Sequence, residues 1–550
     1  MPKPPNNNDD LTVLGTTNFR ANKVKFGIKK NDRKYHMYII GKSGTGKSTF
    51  IENMCFSDIM KNHGIAIVDP HGELADKIIN YVPKERIKDV VYFNPADIEW
   101  PIAFNIVEQV PIEVRHIVSS GLMAVFKKIW PDVWSARMEY ILNNAILALL
   151  EYPNATLLSI NRMLADDSYR QDVVQKVSDP TVKAFWTNEF DKYDQKFRRE
   201  AIAPIQNKVG QFISNPLIRN IIGQLESNID PRKIMDEGKI LIVNLSKGLI
   251  GEENTTLLGA LIVTKIQLAA MSRADMPFED RKAFYLYIDE FQTFSTESFA
   301  NILSEARKYN LSLILTHQYI KQLSDKVKDA VFGNVGAMIS FRIGPDDASA
   351  LEKQFHPDFN ANDLINIPNY HFYIKYLIDG MPSNSFSANG EPPLAPYEIS
   401  YKNEIVENSR NLYAKEREEV EKEIKKWSAL EFAPSNINPR TQSKTEYWEV
   451  VCSKCKKPAL VPFKPDPSKN VYCNECFEEV KAKKQAMSND NYPSQQPSGQ
   501  SFQDTRFSNT PREDCRPPKT NIDIEKKRKE IKDKIDSQGL SDMIKNIFRK

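Results

Sequence analysis

The run Met37–Thr49, MYIIGKSGTGKST, decides the fold. Met37–Ile40 is a short apolar run with no polar face, as a strand covered on both sides requires. A glycine-rich turn ends it, and the residues from Thr49 to Met60 have helical spacing. Within the turn, Gly41, Lys42, Ser43, Gly44, Thr45, Gly46, Lys47 and Ser48 fit G-x-x-x-x-G-K-[ST], with Thr49 following. Glycines let backbone N–H groups point inward around phosphate oxygens, and the helix that follows adds its positive end. Lys47 is expected to reach the β- and γ-phosphates of a bound nucleotide, and the Ser48 hydroxyl to ligate Mg²⁺. The base is not legible; ATP is the default.

Further strands flank this turn. Ile65–Val68 ends at Asp69-Pro70, and VVYF ends at Asn94-Pro95. Lys239–Asn244, Ala283–Ile288, Leu311–Thr316 and Ala337–Arg342 are also short and almost wholly apolar. Strands alternating with helices predict a parallel α/β sheet. Between Pro111 and Gln224 the pattern changes to long amphipathic windows such as Arg137–Tyr152 and Glu200–Ile213. That stretch is expected to be an all-helical insertion, residues 111–224, in a core formed by residues 15–110 and 225–395.

The strand Phe284–Ile288 ends in Asp289 and Glu290. Beside a phosphate loop, one acid can serve the metal and the next the attacking water, so Asp289 is assigned to Mg²⁺ and Glu290 to polarising the nucleophile. An ordinary strand followed by an acidic helix cap is the other reading. The strand Leu311–Thr316 ends in His317 and Gln318. A neutral amide there can sense the γ-phosphate, so Gln318 is the first choice for a sensor and His317 the second; a plain polar strand end is the alternative.

Taken in order, the phosphate loop, Asp69-Pro70-His71-Gly72-Glu73, the YIDEF strand, the THQ strand end and the SFRIGPDDA segment resemble the HerA/FtsK superfamily. Within it they look most like the conjugative coupling proteins (TraG/TraD type) of type IV secretion. The likeness covers roughly residues 15–395. It implies a RecA-like P-loop NTPase core, a hexameric ring, ATP at subunit interfaces, and a DNA-translocating ATPase that moves DNA through the ring. It also implies an arginine offered to the neighbour's nucleotide. Arg307 stands where coupling proteins carry theirs, and Arg342 is the alternative; the ordinary reading of either is a surface salt bridge. A relaxase or secretion-apparatus partner is implied too. Coupling proteins usually carry N-terminal membrane helices, which this sequence is not expected to supply. Readings of another class are a nucleotide-gated adaptor, and a secretion or pilus-assembly ATPase acting on protein partners.

Toward the C-terminus, residues 396–445 are expected to be a linker with a charged helix at 414–427. Cys452, Cys455, Cys473 and Cys476 follow as two C-x₂-C pairs, the spacing of a four-thiolate Zn²⁺ site, read as a structural zinc ribbon over 446–482. Residues 483–522 are rich in Ser, Asn, Pro and Gln and read as a disordered linker, and 523–550 as a basic amphipathic helix. Residues 1–14 are expected to be flexible. In the 550-residue chain, 75 basic side chains against 72 acidic ones leave a net charge of +3, so any DNA-binding surface must be local. Hydrophobic residues at 41% exclude wholesale disorder, and six cysteines in so long a chain exclude a disulfide framework. With no long uncharged apolar stretch and no secretory signal, a cytoplasmic protein is expected.

Overall fold

A computed structural model describes residues 11–18, 23–395, 399–429, 448–461, 464–466, 468–473, 476–477 and 479. The expectations for residues 1–10, for the linker 483–522 and for the basic helix 523–550 lie outside them. The chain divides into two units, Met1–Glu431 and Phe432–Lys550.

The first unit is built on a 12-stranded sheet. Its strands are β1 (Leu11–Thr17), β2 (Lys25–Lys29), β3 (Met37–Ile40), β4 (Gly64–Asp69), β5 (Val90–Phe93), β6 (Ile240–Asn244), β7 (Phe284–Ile288), β8 (Leu311–His317), β9 (Ala337–Ser340), β10 (His371–Ile378), β11 (Met381–Pro382) and β12 (Phe386–Gly390). The order is β2-β1-β12-β10-β9-β3-β8-β7-β4-β6-β5, with β11 paired to β10. From β9 to β5 all pairings are parallel. From β10 outward to β2 they are antiparallel.

Composition follows this division. Every residue of β3, β4, β6, β7 and β8 is buried, as helices on both faces require. β10 instead alternates buried and half-exposed positions, which an antiparallel strand with one wetter face tolerates. The expected parallel sheet is therefore a mixed one. β1 begins at Leu11 and pairs with both β2 and β12, so residues 11–14 are ordered sheet rather than a flexible start.

Alternate side chains feed two cores. Tyr38, Ile40, Leu286, Ile288, Leu313 and Leu315 pack toward the long helix Glu252–Ser272 and the helical region beyond it. Met37, Ile39, Tyr285, Tyr287 and Ile314 pack toward the phosphate-loop helix Lys47–Met60. The stretch Glu252–Asp275 meets the length and hydropathy of a membrane span, but 61% of that window is buried inside the fold.

Between residues 111 and 224 the described residues hold helices and no strand. Ser135, Asp166, Asp194 and Asn215 cap four of these helices with side-chain oxygens on early backbone N–H groups. Residues 402–429 differ from the expected linker. The helices Lys402–Tyr413 and Arg417–Ala429 bury Ile405 and Val420 completely, and the Ser409 hydroxyl accepts from the Tyr92 N–H at 2.9 Å. Their charge occupies one face only; the apolar stripe beneath it is core.

A buried ion pair fixes the far end of the phosphate-loop helix. Arg33 grips Asp58 with both terminal nitrogens at 2.6 and 2.8 Å, and the Tyr287 hydroxyl donates to the same carboxylate at 2.5 Å. Burial alone would raise the Asp58 carboxyl, yet Arg33 holds it down at about 2. Tyr287 lies two residues before Asp289, so the network ties the helix to the strand that carries the acids.

Candidate nucleotide site

The strands β3, β4, β7 and β8 all end at one sheet edge, and there the loop Gly41–Ser48 encloses a cavity of about 300 Å³. Both neighbours of β3 hold the loop's start. Gly41 N–H donates to the His317 carbonyl at 3.2 Å, and Lys42 N–H to the Arg342 carbonyl at 2.8 Å. A Cβ at position 41 would come within 2.5 Å of the Phe341 Cβ, so only glycine fits. Gly46 caps the helix with φ at 116°, a conformation closed to other residues.

Lys47 Nζ donates to the carbonyls of Gly41 and Lys42. Burial lowers its pKa, against the upward pull of Glu290 and Asp289. Ser48 and Thr49 line the same cavity, as do Asp289, Glu290 and Gln318. The structure thus brings the sequence-predicted loop and strand-end residues to one place.

Asp289 accepts from the Glu290 N–H at 3.1 Å and from the Thr316 hydroxyl, which in turn accepts from Glu290 N–H at 3.2 Å. Burial, helped by the charges of Asp69 and Glu290, raises the Asp289 carboxyl to about 6, while the Thr316 hydroxyl opposes the shift. A carboxylate made this uncomfortable suits a cation beside it.

Glu290 sits at φ 45°, a left-handed conformation costing a residue with a Cβ roughly 1–2 kcal/mol. Its two carboxylate oxygens each take one amide: Gln318 Nε2 at 2.5 Å on Oε1, and Gln292 Nε2 at 2.7 Å on Oε2. The carboxylate is thereby fixed in orientation. Gln292 is not among the residues the sequence pattern points to; its place two residues after Glu290 is the signal for it.

His317 does not belong with these residues. Its ring is fully buried on the opposite face, with Nδ1 2.9 Å from the Tyr38 hydroxyl. Burial, then the Lys47 charge, lowers its pKa to about 3, so it is neutral across the physiological range. Strand alternation sends Thr316 and Gln318 one way and His317 the other.

The turn after β4 completes the wall. Asp69 accepts from the N–H groups of His71 (2.8 Å) and Ala75 (3.0 Å), which shapes the turn and places His71 and Glu73 on the cavity. Tyr370, also on the cavity, donates its N–H to the Thr45 carbonyl at 2.8 Å. No local sequence pattern marks this residue.

The two arginines lie apart. Arg307 precedes β8, at the other edge of the sheet, and lines a second cavity of about 570 Å³ with Lys34, Lys308, Tyr35 and Phe278. Its guanidinium lies 4.8 Å from the centre of the Tyr35 ring. Arg342 stays beside its own chain's loop, donating to Asn369 Oδ1 at 2.8 Å.

In the second unit, Cys452 and Cys455 occupy the turn between β13 (Trp448–Val451) and β14 (Pro458–Val461), and Cys476 stands at a helical turn. The four sulfurs lie within 4.8 Å of one another, and those of Cys455 and Cys473 are 3.7 Å apart. Four thiolates about 2.3 Å from a tetrahedral Zn²⁺ need S–S separations near this value, so the donors fit a structural zinc ion.

Residues 13–266 match the family described as "Helicase HerA, central domain". This match falls wholly within the first unit. Residues 445–481 match a probable treble clef zinc finger, which refines the zinc-ribbon reading and suits a second cysteine pair that runs into a helical turn. Among solved structures, the bacterial conjugative coupling protein TrwBdeltaN70 superposes with a TM-score of 0.50 at 13% identity, over 72% of this chain and 91% of that one. TrwB in complex with ADP and Mg²⁺ gives 0.50 at 14%, over 68% and 89%. VirB4 of Thermoanaerobacter pseudethanolicus gives 0.48 at 13%, over 70% and 97%. No curated protein sequence matches. The first unit therefore has the P-loop fold of TrwB, and the match to the HerA model ends before β7, β8 and the acids at their ends.

Proposed function

We propose that this chain is an ATPase of the HerA/FtsK type whose hydrolysis drives DNA through an oligomeric ring. One observation carries the reading: Lys47, Asp289, Glu290 and Gln318 share one cavity, with the Glu290 carboxylate oriented by two glutamine amides. The loop N–H groups and Lys47 bind the phosphates. Ser48 and Asp289 would hold Mg²⁺, which supplies charge neutralisation at the β- and γ-phosphates. Glu290 accepts the proton of the attacking water, and Gln318, bonded to it, links the carboxylate to the γ-phosphate position. Arg307, at the sheet edge remote from its own loop, acts on the nucleotide of the adjacent subunit. The DNA and ring components rest on likeness to coupling proteins. They are supported by a fold shared with TrwB and by a second, zinc-binding unit.

ATP turnover of the full chain, with and without DNA and with particle size recorded alongside, tests this. DNA-stimulated hydrolysis by a ring-sized particle is expected. Hydrolysis that responds to a protein partner and not to DNA would favour a secretion or adaptor ATPase, and absence of hydrolysis would end the ATPase reading.

A further inference from the structure

The proposed ATPase chemistry leaves one prominent aromatic side chain of the cavity without a task. Tyr370 is 56% exposed and lines a cavity that has no other aromatic residue apart from His71. Its backbone lies at φ 64°, an outlier for a bulky residue. Such strain persists only where the surroundings enforce it. Two hydrogen bonds do so: Tyr370 N–H donates to the Thr45 carbonyl at 2.8 Å, and the Tyr370 carbonyl accepts from Gly390 N–H at 2.8 Å. One bond anchors the residue to the phosphate loop and the other to β12. The ring runs alongside Gly46, where an added Cβ would lie 3.2 Å from the Tyr370 Cδ1.

A triphosphate held by Lys47, with its terminal phosphate toward Glu290, directs its nucleoside away from Glu290. Tyr370 is bound to the loop backbone at Thr45 and shares the cavity with Thr49. An exposed aromatic face, pre-positioned on a stiff backbone at the loop, offers a nucleobase a stacking surface at little entropic cost. At the neighbouring amide, Asn369 Oδ1 already accepts from Arg342.

Resting on the ATPase reading, we infer that Tyr370 is the nucleobase platform of this site, binding the base by its face and not by its edge. Base–aromatic stacking is worth about 1–3 kcal/mol, which corresponds to about five-fold or more in affinity.

The test measures Mg²⁺-dependent binding of ATP, GTP and inorganic tripolyphosphate to the full chain by calorimetry. Tyr370→Ala should weaken ATP and GTP alike by about five-fold or more, leaving tripolyphosphate unchanged, and Tyr370→Phe should bind as the parent does. Tyr370→Gly, which suits the positive φ, should reproduce the loss if the alanine variant folds poorly. The platform is refuted if ATP binding survives Tyr370→Ala and Tyr370→Gly, if tripolyphosphate weakens equally, or if Tyr370→Phe also loses affinity. A parent chain that binds ATP no more tightly than tripolyphosphate overturns this inference alone; one that binds neither overturns the ATPase reading beneath it.

Discussion

Two cavities of the first unit lie at opposite ends of the same strands, β3 and β8, and differ in chemistry. At the carboxyl ends lies a compact space in which the Glu290, Asp289 and Lys47 side chains are all hydrogen-bonded. At the amino ends lies a larger and more open one where Lys34, Arg307 and Lys308 gather with Asp32 and Asp379 around two aromatic rings. Among the described residues, no carboxylate lies within ion-pair distance of the Arg307 guanidinium. An arginine without an ion pair at one end of these strands, and a phosphate cradle at the other, are what the proposed assembly of copies would use. The contrast teaches that the complete catalytic set, on the proposed reading, is divided between subunits.

Four measurements can break or sharpen this contrast. The largest effect is expected from Arg307→Ala, which should cut turnover about 10³–10⁵-fold while leaving nucleotide affinity near the parent's. Mixing it with Glu290→Gln should restore part of the activity, because one mixed interface then has both groups; a mixture no better than its components would show that Arg307 acts within its own chain or not at all. Glu290→Gln alone should lower single-turnover hydrolysis about 10²–10⁴-fold with ATP still bound.

Asp289→Asn comes next and is read by stability instead of rate. The folded carboxyl titrates at about 6, above its ordinary 3.8. Its contribution to stability is therefore full below pH 4 and lost as pH rises through 6. Without metal, the asparagine variant should be more stable than the parent at pH 8 by roughly 3 kcal/mol, and the gap should close near pH 4. Denaturant titration at the two pH values decides it, and Mg²⁺ with nucleotide should reverse the order at pH 8. The smallest effect belongs to Gln292→Ala. It should lower kcat about ten-fold through loss of one of two orienting bonds, with KM little changed. A loss as large as that of Glu290→Gln would mean that Gln318 alone cannot hold the carboxylate.

Much of this was legible in order along the chain. The glycine loop and the acids at the end of β7 are local patterns, each set by a few adjacent residues. What stayed hidden depends on partners far apart in sequence. Tyr370 reaches Thr45 only because β10 turns back antiparallel beside β9. β10 itself carries a half-exposed face and lacks the continuous apolar run that marked the parallel strands. His317 was misplaced for a simpler reason, since neighbours in a strand face opposite ways and only one of His317 and Gln318 could reach Glu290. The charged helix at 417–429 hid its apolar stripe under many lysines and glutamates, and Val420 proves to be fully buried.

The position of β3 in the sheet has a consequence for how the chain is made. Its two neighbours, β8 and β9, begin at Leu311 and Ala337, more than two hundred residues further along. A ribosome that has synthesised the glycine loop has therefore made a strand with both edges bare, and β4 and the helical region must emerge before either edge is covered. Nascent chains stalled short of Leu311 should engage chaperones and bind no nucleotide, because the ends of β8 and β9 that grip the loop do not yet exist.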